Sequence, residues 1–291
     1  MILSHVFRQD VPGEHNRIYE NAYSIFAPMD KRRGLRFANP EKTGEDFYFL
    51  EENDPRRIQE KVVEVVEKAI QDFDVPLESI AILTPIHRGN LGTDTLNTLL
   101  QDKLNPSEEK INFKGREFRL GDKVIHIETD YTLGVYNGEI GFVTEIGNSS
   151  SNALTVAYPE KAVAYPHKKL EKLDLAYAMT VHKMQGSECR LVVVPIGDNN
   201  LGKHNLYTAF TRAQKSVVLI GSKEELLKGL QRPEPNRNTN LCKRLQAQIL
   251  HMTFVSPDAQ VAAEPAVEYE QQSLFALIPV LPTSKAEGNQ P

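Results

Sequence analysis

Residues 190–221 read RLVVVPIGDNNLGKHNLYTAFTRAQKSVVLIG. Two apolar runs, LVVVPI and SVVLIG, flank a segment with helical character, NLYTAFTRAQ. An aliphatic run without polar alternation marks a strand covered on both faces. Strand, helix and strand in this order predict a layer of mostly parallel sheet. The link at residues 197–204, GDNNLGKH, fills seven of the eight positions of the phosphate-loop pattern G-x-x-x-x-G-K-[ST]. Gly197, Gly202 and Lys203 stand where the pattern wants them, but its last position is His204. That position needs a hydroxyl, because magnesium is a hard cation that takes oxygen ligands. In a chain with 17 glycines so short a pattern arises readily by chance, and we read it as a connection, not a cradle.

Upstream the same texture holds. NRIYENAYSIF places Ile18, Ala22, Ile25 and Phe26 on one helical face, and DFYFLE is a short strand. DPRRIQEKVVEVVEKAIQDF is an amphipathic helix with Asp54 as N-cap and Pro55 at its first position. SIAILTPI is a buried strand, and LGTDTLNTLLQDKL is a helix ended by Asn105 and Pro106. From Lys110 the pattern changes to short strands and turn signals (Gly121 with Asp122, Asn137 with Gly138, GNSSSN), as in a small closed barrel. After Lys168 strands and helices alternate again, closing with a Ser222/Glu225 capping box. The expected organisation is one α/β domain in two pieces, residues 1–109 and 171–250, interrupted by an inserted small β-barrel at 110–170. A disordered tail is expected at 251–291. Its five acidic residues and single lysine carry four of the five net negative charges of the chain.

At 291 residues the chain is long enough for one or two domains with a substantial core. No apolar run approaches the ~20 residues of a membrane helix, and the first residues lack a basic n-region. Cys189 and Cys242 have no metal-ligand spacing and read as reduced thiols of a cytoplasmic protein.

Five segments, taken together and in order, resemble motifs of the RecD-like branch of superfamily 1 DNA helicases. They are VFRQ (6–9), LTPIHRGNLGTDTLNTLLQDKLNP (83–106), GDKVIHIETDYTLGVYNGEIGFV (121–143), YAMTVHKMQGSE (177–188) and LYTAFTRAQ (206–214). The resemblance covers residues 1 to about 250 and implies a second RecA-like motor domain, a mostly parallel sheet with helices on both faces, whose barrel insertion is Src-homology-3-like. It implies that Arg8 and Arg212 reach ATP from across a cleft. An arginine suits that task because phosphoryl transfer spreads charge over the γ-phosphoryl oxygens, which a planar, always charged fork can meet bidentately. Gln185, Gly186 and Glu188 would contact the nucleotide, and Thr180 and His182 the DNA backbone. His87 and Arg88 follow a strand's C-terminal end, where open sheets bind ligands, and read as DNA-phosphate contacts or as members of an intradomain ion pair. In the barrel, Tyr136 and Asn137, with Tyr131 and the bases Lys110, Lys114, Arg116, Arg119 and Lys123, suit a single strand, or else form core and a solvated face. Met184, Thr129 and the pair Cys189 and Arg190 depart from the family's usual residues.

The sequence holds no complete phosphate loop and no upstream acidic magnesium motif. The resemblance therefore implies the C-terminal motor half of an ATP-dependent, 5′-to-3′ helicase, inactive alone. ATP with magnesium would be held mainly by a first motor domain, with single-stranded DNA as the other partner and no membrane. Two readings stay open beside it: a non-catalytic single-strand-binding module, and a truncated helicase remnant.

Overall fold

Strands β1 (Phe47–Glu51), β2 (Ile80–Thr84), β10 (Ala178–Thr180), β11 (Cys189–Ile196) and β12 (Ala213–Gly221) form one sheet. Each runs parallel to its neighbours, in the order β1-β12-β11-β2-β10. The structure, a computed structural model, describes residues 16–26, 34–39, 45–147, 149, 152–198 and 201–232. The expected helices are α1 (Arg17–Phe26), α2 (Pro55–Gln71), α3 (Thr93–Leu104), α4 (Lys203–Phe210) and α5 (Lys223–Gln231).

The unbroken apolar runs have their reason in two cores. Ala81, Leu83, Val192, Val194, Val217 and Leu219 face one core, which α1, α4 and α5 close with Ile18, Ala22, Leu206, Phe210 and Leu226. Ile80, Ile82, Val193, Val218 and Ile220 face the other, closed by α2 and α3 through Ile58, Val62, Val66, Leu96 and Leu100. Successive strand side chains alternate between faces, so both sets must be apolar. Asp54 caps α2, its Oδ1 accepting from Arg56 N at 2.9 Å, and Ser222 Oγ accepts from Glu225 N at 3.4 Å. One helix differs from expectation. α4 begins at Lys203 and ends at Phe210, so Arg212 lies not on the helix but in the turn that enters β12. The chain leaves the helix because Arg212 and Thr211 close a tight turn, their amides donating to Ala209 O and Tyr207 O.

Between α3 and β10 the chain forms the antiparallel insert: β3 (Lys110–Phe113), β4 (Arg116–Arg119), β5 (Lys123–His126), β6 (Ile140–Ile146), β7 (Leu154–Ala157), β8 (Ala162–Tyr165) and β9 (Leu173–Leu175). Five of these strands pair in the order β8-β7-β6-β5-β9. The β3–β4 hairpin contributes Phe113 and Phe118 to the core of that sheet. Among the described residues no ladder joins β8 to β9, so the barrel is completed by side-chain packing, not by a closed ring of hydrogen bonds. The expected tail lies outside the described residues.

Candidate functional site

A parallel sheet has two chemically distinct edges, and the sequence-derived site residues divide between them. Arg212 directly precedes β12 and Glu188 directly precedes β11, so both stand at the edge of strand N-termini. Thr180 ends β10, and the loop with His87 and Arg88 follows the end of β2, so these stand at the C-terminal edge.

At the N-terminal edge the structure joins two segments separated in sequence. Arg212 Nη1 donates to Ser187 O at 3.1 Å, its Nε donates to Thr208 O at 3.4 Å, and Cys189 N donates to Arg212 O at 3.0 Å. Gln214 Nε2 donates to Glu188 Oε2 at 3.2 Å. Arg212 is thus joined to the segment of Ser187 and Glu188, and Gln185 and Gly186 lie exposed in the turn just before it. The turn before Glu188 is built by successive amide bonds, Lys183 N to Thr180 O, Gln185 N to His182 O and Ser187 N to Met184 O. Gly186 has φ +92°, a left-handed conformation that side chains beyond glycine rarely adopt. A Cβ there would meet nothing within 4 Å, so a larger residue would be strained by the backbone conformation alone, not by crowding. The buried Cys189 thiol beside this cluster is pushed up to about 11 by desolvation, which makes it inert packing, not a nucleophile.

At the C-terminal edge, Thr180 is buried opposite Thr84 in the β10–β2 ladder, and Val181 N continues the pairing onto Thr84 O. His182 is exposed just beyond. The loop at residues 86–92 folds back over the start of α3: Thr93 N donates to Ile86 O, Asp94 N donates to His87 O, and His87 Nδ1 lies 3.1 Å from Thr93 Oγ1. A Cβ on Gly92 would fall 2.4 Å from His87 O, so only glycine allows the loop to close this tightly. Arg88 is exposed, and among the described residues no ion pair engages it.

In the insert, Tyr131 and Tyr136 are 86% and 57% exposed, so neither is core. Lys161 Nζ stands 5.7 Å from the Tyr136 ring centroid, and Asn137 N donates to Thr129 Oγ1 at 3.2 Å. The basic residues of the insert are largely engaged within the chain. Lys110 and Arg119 are paired with Glu117, Arg119 also with Asp102, and Lys114 with Glu171. Arg116 donates to Leu173 O, and Lys123 is buried. Opposite charges within reach took these cations, and the acids interleaved with bases in the sequence, Asp102 in QDK, Glu117 in REFR and Glu171 in LEK, were the available signal.

Arg8 lies outside the described residues. Of the phosphate-loop look-alike, Gly202 is the N-cap of α4 and the His204 ring packs against Phe26 at 4.9 Å. Among the described residues no group of three or more His, Cys, Asp or Glu could hold a metal ion, and no helix is long and apolar enough to cross a membrane.

Sequence reasoning missed Asp122 as a site of interest and misjudged Lys123. Asp122 is fully buried and accepts from Gln101 Nε2 (2.6 Å), Asn105 Nδ2 (2.7 Å), Tyr177 OH (2.9 Å) and Arg119 N (2.6 Å). Burial raises its carboxyl, and these donors work against that rise. Lys123 is 1% exposed and donates to Leu77 O (2.9 Å) and Ile80 O (2.8 Å). Desolvation pushes its amine down to about 8.

Residues 96–158 match the SH3 domain of ATP-dependent RecD-like DNA helicases, and residues 175–220 match the UvrD-like helicase C-terminal domain. The ATP-dependent RecD2 DNA helicase of Deinococcus radiodurans is 34% identical over 172 residues, 58% of this chain and 24% of that protein. The RecBCD enzyme subunit RecD of Buchnera aphidicola subsp. Schizaphis graminum is 28% identical over 182 residues, 60% of this chain and 29% of that protein. The chain thus spans between a fifth and a third of the length of these relatives. A Pif1 helicase from Bacteroides, solved with ADP-AlF3 and single-stranded DNA, superposes with a TM-score of 0.45 at 16% identity, covering 86% of this chain and 56% of that one. Two stretches of the chain thus resemble helicase domains, the SH3 domain of RecD-like helicases and the UvrD-like C-terminal domain, in the order in which the sequence motifs stand.

Proposed function

We propose that this chain is the C-terminal motor portion of an ATP-dependent, 5′-to-3′ DNA helicase. Arg212, and Arg8 with it, would stabilise the charge that develops on the γ-phosphoryl group of ATP. Gln185, Gly186 and Glu188 would contact the nucleotide beside them. Magnesium and the phosphates would be held mainly by a first motor domain, and the chain by itself would not turn over ATP. His182, His87, Arg88, Tyr136 and Asn137 would face single-stranded DNA, and Thr180, buried at the end of β10, would meet it only at the rim of that edge. We assign the discontinuous motor domain to 1–109 and 171–250 and the insert to 110–170. A cytoplasmic setting suits the buried free thiol of Cys189.

The observation that carries this reading is the junction of Arg212 with Ser187 and Glu188 at one sheet edge, away from the edge that bears Thr180 and His87. A motor needs its nucleotide and its track on separate faces of one rigid body, and a pure binding module has no use for the first of them. The experiment is ATP turnover in the presence of oligothymidine by this chain combined with a first motor domain of a RecD-like helicase. Stimulated turnover that neither part shows alone supports the reading, and turnover by the first domain that is indifferent to this chain defeats it.

A further inference from the structure

The insert meets the parallel layer through a polar joint that the proposed chemistry does not use. Lys123, on β5, crosses from the insert to the carbonyl oxygens of Leu77 and Ile80 at the start of β2, and its own carbonyl accepts from Ala176 N. Its neighbour Asp122 gathers Gln101 and Asn105 from the far end of α3, Arg119 N from the hairpin end and Tyr177 from the segment entering β10. Asn97, midway along α3, donates to Leu175 O and Ala178 O and accepts from Ala178 N. Each of these elements leads to a group assigned above to DNA. α3 begins at the loop of His87 and Arg88, and β10 ends at Thr180. Three residues beyond Lys123, the amide and carbonyl of His126 anchor the turn of Tyr136 and Asn137 through Glu139 O and Gly138 N.

Two buried ionisable groups at one boundary are a costly way to glue two units, since apolar residues of similar size would serve stability as well or better. What directional bonds add is a single geometry. We infer that Asp122 and Lys123 are positioning residues, holding the insert's aromatic turn in fixed register with the sheet edge so that both present one surface to a single strand. The inference rests on the proposed DNA reading. Two acceptors for Lys123 match the two N–H groups of a neutral amine, so the contact survives loss of its proton.

The test uses the whole chain, with Lys123→Met and Asp122→Asn as independent variants, each preserving approximate size. Hydrogen exchange is followed at Val124 and Ile125 in the insert and at Ile82 and Leu83 in the sheet. In wild type the two groups should open together. In either variant the insert amides should exchange at least about tenfold faster relative to the sheet amides, as expected when a cooperative unit is split. Binding of labelled oligothymidine is then measured for wild type, Lys123→Met, Tyr136→Ala and the double variant. A positioning role makes the two substitutions non-additive by about threefold or more. Strict additivity, or insert and sheet amides that still open together in both variants, overturns the inference while leaving the DNA reading intact. A wild-type chain that binds no oligothymidine overturns the DNA reading and the positioning role with it, and the exchange result then shows whether the joint serves stability alone.

Discussion

Arg212 reaches back across 25 residues to the carbonyl oxygen of Ser187, its Nη1 3.1 Å away, while its own carbonyl accepts from Cys189 N. The carbonyl oxygens of Ser187 and Thr208 thereby orient the guanidinium, while Cys189 N ties down the main chain of Arg212. A guanidinium already held in one orientation loses less freedom when its fork engages a ligand.

In a complex restored with a first motor domain, Arg212→Ala should lower turnover by ~10³ or more, with ATP affinity little changed. Arg212→Lys should recover only a small part of this, because an ammonium keeps the charge without the bidentate geometry. Steady-state turnover and nucleotide binding measured on the three proteins decide. Near-normal turnover of the alanine variant would leave Arg212 as a structural tie between two segments.

The purified chain alone should hydrolyse no ATP above background, with or without oligothymidine. Lys203→Ala should make no difference to ATP turnover by the restored complex, since His204 packs on Phe26 and supplies no hydroxyl for magnesium. Loss of turnover in Lys203→Ala would restore residues 197–204 as a phosphate site.

Binding of oligothymidine by the chain should weaken as salt rises, because each phosphate contact releases counterions. The slope should be shallow, since Lys110, Lys114 and Arg119 are already paired with acids. Tyr136→Ala should cost ~1–3 kcal/mol at constant slope, through loss of stacking. Arg88→Ala should instead lower the slope by about one unit. Anisotropy titrations at several salt concentrations separate the two, and a Tyr136→Ala protein of wild-type affinity would exclude stacking there.

Stability should carry the signature of Lys123, whose amine is pushed down to about 8 by burial. Below that pH both folded and unfolded chains hold the proton, and the desolvation penalty is present in full. Between about 8 and the ordinary lysine value of ~10.4 the unfolded chain binds more protons, so this residue's contribution to stability rises with pH. The gain at its upper end is on the order of 3 kcal/mol. Because tyrosines and other lysines titrate nearby, the measurement is the difference between wild type and Lys123→Met in denaturant unfolding across that range. A difference that stays flat from neutral to alkaline pH would mean that the amine is hydrated in solution.

The parallel layer was legible in the sequence because its strands are buried on both faces, and such strands need unbroken aliphatic runs such as LVVVPI. Helix starts were legible for an equally local reason: Asp54 and Ser222 each bond an amide two or three residues along. The identities of Arg212, Glu188 and Thr180 came from short motifs. Their arrangement did not, because which edge a residue occupies follows from strand direction and from the order β1-β12-β11-β2-β10, a set of pairings between residues up to 170 positions apart. The same holds for Lys123 and Asp122. In the sequence, GDKV is a turn followed by a solvated base. Only the approach of α3 and the start of β2 turns that base inward, where two carbonyl oxygens replace the water it would otherwise hold.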